Sequence, residues 1–171
     1  MESYHRLDDE RKSLIFVGDG NLRQSLQDFV DELGAESVYF FGFKNRTEIP
    51  NFYAISDVLV LPSVRETWGI VVNEAMCFGL PVIVSEQVGA GRDLIIDGQN
   101  GYNVGIQIES LSQGLKAIAE LSDEDRALMG LKSVETIEKW LHRDLAGSLV
   151  QYITLVGAQT PVQKADDSSD G

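Results

Sequence analysis

Short apolar runs alternate with amphipathic segments along most of this chain. The runs at 14–17, 38–41, 58–61, 82–84 and 102–104 have the length of strands, and the segments between them have helical periodicity. From 109 onward the pattern is helical, with segments near 109–121, 123–139 and 141–154. Strands that alternate with helices favour an α/β fold with parallel strands. We therefore predict a three-layer, Rossmann-like α/β domain with a mainly parallel sheet of about five strands.

The run at 14–17 is apolar at every position, which is typical of a parallel strand buried on both faces. Gly18, Asp19 and Gly20 follow it and could begin a dinucleotide-binding loop. The third glycine of such a loop is missing, however, and Arg23 stands in its place. We therefore interpret the two glycines as a tight turn.

The stretch from 59 to 84 is the most informative part of the pattern. An apolar strand is followed by a polar loop around Glu66 and by a helix that begins near Gly69 and ends near Phe78. Apolar side chains point in nearly every direction around this helix, so we expect it to be largely buried. A buried carboxylate is costly without a partner, and Glu74 lies in this helix. Its partner is either a neighbouring basic side chain or a ligand hydroxyl.

The start of that helix is a candidate anion site. A helix N-terminus presents unpaired N–H groups and the positive end of a dipole, and glycine allows a ligand to approach the backbone. The candidate donors are the backbone amides of Thr67, Trp68, Gly69 and Ile70. Glu66 and Glu74 could accept hydrogen bonds from hydroxyls on either side of a bound phosphate. In the alternative interpretation, Glu66 is a solvated loop residue.

Glu66 and Glu74, with seven residues between them, resemble the E-x7-E signature of retaining glycosyltransferases of family 4, also called glycosyl transferases group 1. The resemblance continues through Ala-Met at 75–76 and Gly-Leu-Pro-Val at 79–82. It also covers the segments 15–20, 41–42, 57–58 and 97–102. It implies that this chain is the C-terminal, donor-binding half of a GT-B fold. The family often has Gly-Phe-Gly where this chain has Thr-Trp-Gly at 67–69.

The resemblance also implies roles for individual residues. Glu66 would contact the transferred sugar as the catalytic residue, Glu74 would bind the ribose hydroxyls, and the amides at 68–70 would bind the diphosphate. Phe43 and Lys44, in the loop after the second strand, would touch the nucleotide base, although Lys44 could instead be merely solvated. Nothing resembles an Asp-x-Asp site, so no metal and no cofactor are expected.

The implied activity is retaining transfer of a hexosyl group from a nucleoside diphosphate sugar to a saccharide or lipid acceptor. The first strand and loop of the family domain are expected to be missing, and the N-terminal acceptor-binding domain of the parent protein is the expected partner. The isolated chain is therefore expected to be inactive. We predict a nucleotide-sugar-binding domain at 1–156 and a disordered tail at 157–171. The alternative is a non-catalytic nucleotide-sugar-binding or partner-docking module.

Composition bears on the ligand class, on the location of the protein and on the role of its single cysteine. A net charge of −13 disfavours nucleic acid, because nonspecific binding depends on Lys and Arg that neutralise phosphates. No apolar run is long enough to span a bilayer and no signal peptide is recognised, so we expect a cytoplasmic protein. The resemblance is compatible with a role in cell-envelope polysaccharide synthesis. It is also compatible with peripheral contact with the inner face of the membrane through the missing N-terminal, acceptor-binding half. The single cysteine, Cys77, is predicted to be a small core residue.

Overall fold

In the computed structural model, strands alternate with helices as the sequence pattern predicts. The structure describes residues 1–7 and 12–159, with side chains for 1–7 and 12–142. The strands are β1 (Leu14–Val17), β2 (Val38–Gly42), β3 (Leu59–Leu61), β4 (Val82–Ser85) and β5 (Gly101–Val104). The helices are α1 (Glu2–His5), α2 (Arg23–Leu33), α3 (Ile49–Ala54), α4 (Ile70–Cys77), α5 (Gly89–Leu94), α6 (Ile108–Ala119) and α7 (Asp123–Gln159).

Met1–Ile137 form one compact unit, and a second unit begins at Glu138. The helix α7 belongs to both units, because it continues without a break to Gln159. The prediction of two helices, at 123–139 and 141–154, is therefore wrong. No glycine or proline lies at 139–141 to stop a helix there. The predicted tail begins at 157, but 160–171 lie outside the described residues.

The five strands form two parallel sheets in place of the single sheet that we predicted. In the first sheet β1 pairs with β2, and Leu14 lies opposite Val38. In the second sheet β4 lies between β3 and β5, with Leu59 opposite Val82 and Val82 opposite Gly101. Every pairing is parallel, so the predicted fold class is correct. Within residues 1–7 and 12–159, β1 and β3 each have a strand partner on one side, and these two strands do not pair with each other.

The hydrophobic core surrounds the second sheet. All four residues of β4 are buried, because helices α4 and α6 pack against this central strand. Ile83 packs with Ile118 of α6 and Met129 of α7. The hydroxyl of Ser133 in α7 donates a hydrogen bond to the backbone oxygen of Leu80 at 2.7 Å. Helices packed around the central strand therefore hold the second sheet in place.

The first sheet lacks such a core. No side chain of β1 or α2 is buried, and Val17 is 39% exposed. The prediction that β1 is buried on both faces is therefore wrong, because three of its side chains are only half-buried and the fourth is exposed. Gly18 has φ 126°, and its N–H donates to the oxygen of Gly42 at 2.8 Å. The Arg23 N–H donates to the oxygen of Gly20 at 3.1 Å, and this turn between β1 and α2 agrees with the tight turn predicted there.

Candidate functional site

The candidate site lies where β3 and β4 end. In parallel α/β sheets, ligands bind outside the carboxyl ends of the strands. The loop after β3 leads to α4, and the loop after β4 leads to α5. The Glu66 N–H donates to the oxygen of Gln87 at 3.2 Å, and the Gly89 N–H donates to the oxygen of Glu66 at 3.1 Å. These hydrogen bonds join the two loops, so both strands determine where Glu66 lies.

The close approach of the two loops depends on Gly89. A Cβ atom at this position would lie 2.0 Å from the backbone oxygen of Thr67. The N–H of Ala90 donates to the oxygen of Trp68 at 2.9 Å, which extends the contact along the loop. The first amides of α5 are therefore used by the loop before α4.

The helix α4 begins at Ile70 with Gly69 as its N-cap, which agrees with the predicted start near Gly69. Gly69 has φ 90° and ψ 68°, a left-handed conformation that side chains disfavour. A Cβ atom there would lie 3.0 Å from a methyl group of Leu61 and 3.1 Å from one of Val88. Within the described residues, no side chain caps this helix N-terminus. The first amides of α4 therefore have no side-chain partner that would compete with a ligand.

The predicted amide donors differ in exposure. Thr67 and Ile70 are exposed, Trp68 is half-buried and Gly69 is buried. The indole N–H of Trp68 donates to the side-chain oxygen of Asn73 at 2.9 Å. This hydrogen bond ties the loop to the second turn of α4. Asn73 thus has a structural partner, which the sequence analysis missed.

The helix α4 is buried on one face only, so the prediction that it is largely buried is wrong. Val72, Ala75 and Met76 are fully buried against the second sheet, whereas Ile70 is 62% exposed. Cys77 is also exposed, and its prediction as a core residue is wrong. Glu74 lies one turn from Ile70 on the less buried face. A ligand can therefore reach this side of the helix.

Glu74 is half-buried, and its protein partner is a hydroxyl group where we predicted a basic side chain as one alternative. The Tyr53 hydroxyl, from α3, donates a hydrogen bond to Glu74 Oε2 at 2.8 Å. The Tyr53 ring lies 5.4 Å from the ring of Phe78, which follows α4. Burial raises the pKa of Tyr53 above its ordinary value, and the hydrogen bond and charge of Glu74 raise it further. Tyr53 therefore remains a neutral donor that orients this carboxylate.

Tyr53 is the site residue that sequence reasoning missed. It precedes Glu74 by 21 positions and lies in a different helix. The only sequence signal for it was the requirement that a carboxylate in an apolar helix find a polar partner.

Glu66 contrasts with Glu74. It is half-buried, and its carboxylate makes no hydrogen bond or ion pair with any other residue that the structure describes. Its backbone, in contrast, is held on both sides by the loop after β4. A fixed backbone with an unpaired carboxylate is suited to accept hydrogen bonds from a ligand.

Phe43 and Lys44 lie in the loop after β2, which belongs to the first sheet. Phe43 is 77% exposed. The Lys44 ammonium lies 3.5 Å from Glu48 Oε1, so it has an ionic partner within its own segment. For residues 43 to 46, the hydrogen bonds that the structure describes stay within this segment and do not reach the loop around Glu66. A role in base binding stays a prediction for both residues.

Within 1–7 and 12–142, no three side chains of His, Cys, Asp or Glu lie together as metal ligands would. Among the helices that the structure describes, none combines the length and the apolar composition needed to cross a bilayer. The absence of a metal requirement stays a prediction.

Comparison with solved structures identifies the fold. The fold is that of GT-B glycosyltransferases. Sucrose-phosphate synthase from Thermosynechococcus elongatus superposes with a TM-score of 0.77 and 24% identity, over 92% of this chain and 41% of that one. Anabaena HepE, solved in complex with UDP and glucose, superposes with a TM-score of 0.73 and 23% identity, over 87% of this chain and 43% of its own.

The family is shown by sequence. The family model for glycosyl transferases group 1 matches residues 1–131, and the chain belongs to that family. A curated relative, the sulfoquinovosyl transferase SQD2 of Arabidopsis thaliana, is 33% identical over 132 residues. The match covers 74% of this chain and 25% of that relative. This chain therefore spans about a quarter of the length of such a relative.

Proposed function

We propose that this chain is the donor-binding domain of a retaining glycosyltransferase. The parent enzyme transfers a hexosyl group from a nucleoside diphosphate sugar to a saccharide or lipid acceptor. The observation that carries the proposal is the uncapped start of α4 at left-handed Gly69, placed at the carboxyl ends of two parallel strands. Membership of the family and the UDP and glucose bound to HepE support it. We include in this proposal that the protein is cytoplasmic.

The diphosphate binds to the amides at the start of α4. Trp68, Gly69 and Ile70 supply N–H groups, and the helix dipole adds positive potential at the same point. With a net charge of −13, the overall field of the chain repels an anion. Attraction must therefore be local, and neutral amides provide it without a cation.

The two glutamates act on different parts of the donor. Tyr53 occupies Oε2 of Glu74, so Oε1 accepts a hydrogen bond from the ribose. The carboxylate of Glu66, which has no protein partner in the described part of the chain, accepts hydrogen bonds from the transferred sugar. Positive charge develops on a sugar ring during glycosyl transfer, and a nearby carboxylate stabilises it. Glu66 is therefore the proposed catalytic residue.

The complete enzyme requires the acceptor-binding domain as partner. Holding both substrates in a reactive geometry supplies a large part of any rate enhancement. The isolated chain should therefore bind a donor without transferring its sugar. The resemblance, and not the geometry of this chain, is the basis for the retaining stereochemistry.

Titration calorimetry with UDP and UDP-glucose tests the two carboxylates separately. Glu74→Ala should weaken binding of both ligands, whereas Glu66→Ala should weaken only UDP-glucose. A lost hydrogen bond to a carboxylate corresponds to about tenfold to a hundredfold in Kd. Glu124→Ala, at an exposed position in α7, is the control and should change neither affinity.

Two results would contradict the proposal. In the first, a folded Glu74→Ala variant binds UDP with unchanged affinity. In the second, the variant loses thermal stability without any selective loss of affinity, which would make Glu74 a structural residue. If the chain binds another nucleoside diphosphate in place of UDP, the donor carries a different base. The proposed contacts to the ribose and the diphosphate are then unchanged.

A further inference from the structure

We propose that Asn73 is a positioning residue for the diphosphate of the donor. Through the indole of Trp68, it holds the loop that carries the phosphate-binding amides, without touching the donor itself. This role rests on the proposed function of the site. The observations that carry it are one side-chain hydrogen bond, the burial of Asn73 and the backbone hydrogen bonds of the loop.

The side-chain hydrogen bond joins residues on either side of Gly69. The indole N–H of Trp68, directly before Gly69, donates to Asn73 Oδ1 at 2.9 Å. Asn73 lies about one turn after Gly69, in α4. Side chains of a helix lean towards its N-terminus, which lets Asn73 reach back to the loop. The hydrogen bond therefore closes a ring across the glycine.

This ring restrains the most adaptable residue of the loop. Glycine adopts left-handed and right-handed conformations with similar ease, so its own preference does not keep Gly69 at φ 90°. The Val72 N–H donates to the oxygen of Gly69 at 2.9 Å, which holds the side of the glycine that enters α4. The bond between Trp68 and Asn73 holds the side that leaves the loop.

Asn73 occupies an otherwise apolar part of α4. Its neighbours Val72, Ala75 and Met76 are fully buried, and Asn73 itself is only 7% exposed. A polar side chain at such a position is costly unless it has a hydrogen-bond partner. In the described part of the chain, the Trp68 indole is that partner. The loop, and not packing on the sheet, therefore explains why an asparagine lies here.

The backbone of the loop is held from its other side by α5. The Ala90 N–H donates to the oxygen of Trp68 at 2.9 Å. A trans peptide group is planar, and its C=O and N–H point in opposite directions. The Gly69 N–H shares a peptide group with the oxygen of Trp68, so it points away from α5. Within residues 1–7 and 12–142, no acceptor receives this N–H.

The two attachments of Trp68 therefore fix the direction of a free amide that the proposed site uses. A donor that is already oriented loses little conformational entropy when an anion binds. Without the indole hydrogen bond, the diphosphate has to order the loop as it binds, and its affinity falls. Glu74 is oriented separately by Tyr53, so contacts to the ribose persist.

Titrations with UDP and uridine separate this role from a purely structural one. Asn73→Leu replaces the amide by an apolar group of similar shape. The Kd for UDP should rise about tenfold, whereas the Kd for uridine, which lacks the diphosphate, should change less than about twofold. Calorimetry measures the first and NMR titration the second. Ser133→Ala, which removes a buried hydrogen bond to Leu80 in the core, is the matched control and should change neither.

A double-mutant cycle tests whether the two residues act as a pair. Trp68→Phe keeps an aromatic ring, removes the indole N–H and should also weaken UDP binding about tenfold. Because both substitutions remove the same bond, the variant that carries both should lose about tenfold and not a hundredfold. A hundredfold loss would mean independent effects and would overturn the pairing. Trp68→Phe also tests the proposal if Asn73→Leu fails to fold.

Amide hydrogen exchange tests the positioning without any ligand. In Asn73→Leu, exchange of the Val72 N–H, which is bonded to the oxygen of Gly69, should accelerate about tenfold or more. The Leu59 N–H, bonded to the oxygen of Pro81 in the second sheet, is the internal control and should be unchanged. Unchanged exchange at Val72 would show that Gly69 is held without Asn73, which contradicts the proposal.

The binding results distinguish this proposal from the function on which it rests. If the unsubstituted chain binds UDP and both folded single variants bind it equally well, only the role of Asn73 is overturned. Equal weakening of UDP and uridine would also overturn it, since the effect would then not be specific to the diphosphate. If the unsubstituted chain does not bind UDP or any other nucleoside diphosphate, the proposed function fails, and with it the role of Asn73.

Discussion

The hydroxyl of Tyr53 in α3 donates a hydrogen bond to Glu74 Oε2 in α4 at 2.8 Å. The bond joins two helices, and the Tyr53 ring also lies 5.4 Å from the ring of Phe78, directly after α4. It fixes the orientation of a carboxylate on the less buried face of α4. A positioned carboxylate loses less conformational entropy when it binds a ligand hydroxyl.

Tyr53→Phe removes this hydrogen bond and keeps the ring that packs on Phe78. We expect UDP binding to weaken by about tenfold, because Glu74 is then no longer oriented for the ribose. Titration calorimetry measures the change. Tyr39→Phe is the matched control, since Tyr39 is half-exposed and lies in β2. An unchanged Kd for UDP in Tyr53→Phe would show that Glu74 needs no positioning.

The raised pKa of Tyr53 predicts an effect on stability at alkaline pH. A free tyrosine ionises near pH 10, whereas folded Tyr53 holds its proton to higher pH. The resulting stabilisation is fully present below about pH 10 and is lost as pH rises towards the folded pKa. The unfolding free energy should therefore fall more steeply above pH 10 than in Tyr53→Phe. The extra slope is at most about 1.4 kcal/mol per pH unit, the value for one proton.

Urea unfolding of both proteins between pH 9 and 11 measures this difference. The pKa of Tyr4 is also raised by burial, but its effect is common to both proteins and cancels. Parallel curves across this range would show that Tyr53 ionises normally in the folded state.

Gly69→Ala should destabilise the protein. The substitution forces a left-handed conformation on alanine and places its methyl group 3.0 Å from Leu61 and 3.1 Å from Val88. The expected loss is about 1–3 kcal/mol of unfolding free energy. Gly20→Ala is the control: a methyl group there meets nothing within 4 Å, and the expected change is within about 0.5 kcal/mol. Urea denaturation compares the variants, and equal stabilities would contradict the strained start of α4.

Removal of metal should leave UDP binding intact. The proposed phosphate donors are neutral amides at the start of α4, and these need no cation. The Kd measured by calorimetry should therefore be the same in EDTA and in magnesium. A loss of binding in EDTA that magnesium or manganese restores would show that a cation holds the diphosphate.

The order of elements could be predicted from local patterns. The strand β1 has the predicted bounds, and α4 begins directly after the predicted glycine, because periodicity and turn residues act over a few positions. The pair Glu66 and Glu74, together with the ordered series of shorter motifs along the chain, was sufficient to recognise the family. The two predicted helices near the end were wrong, since no residue at 139–141 interrupts the helical backbone.

Contacts between distant segments could not be predicted. The sequence indicated that Glu74 needs a partner, but the choice of Tyr53 depends on how α3 packs against α4. Cys77 and Ile70 lie in an apolar helix yet are exposed, because the helix is covered on one face only. The apolar composition of a helix shows that its residues can pack in a core. It does not show which of them have a neighbouring element that buries them.

The sequence by itself determined the alternation of strands and helices, the glycine at the start of α4 and the two glutamates beside it. Only the tertiary structure decided that the strands form two sheets, and that the loops after β3 and β4 are joined through Glu66 and Gly89. The physical reason is the range of the forces involved. Backbone conformation depends on neighbouring residues, whereas sheet pairing and carboxylate partners depend on groups that only folding brings together.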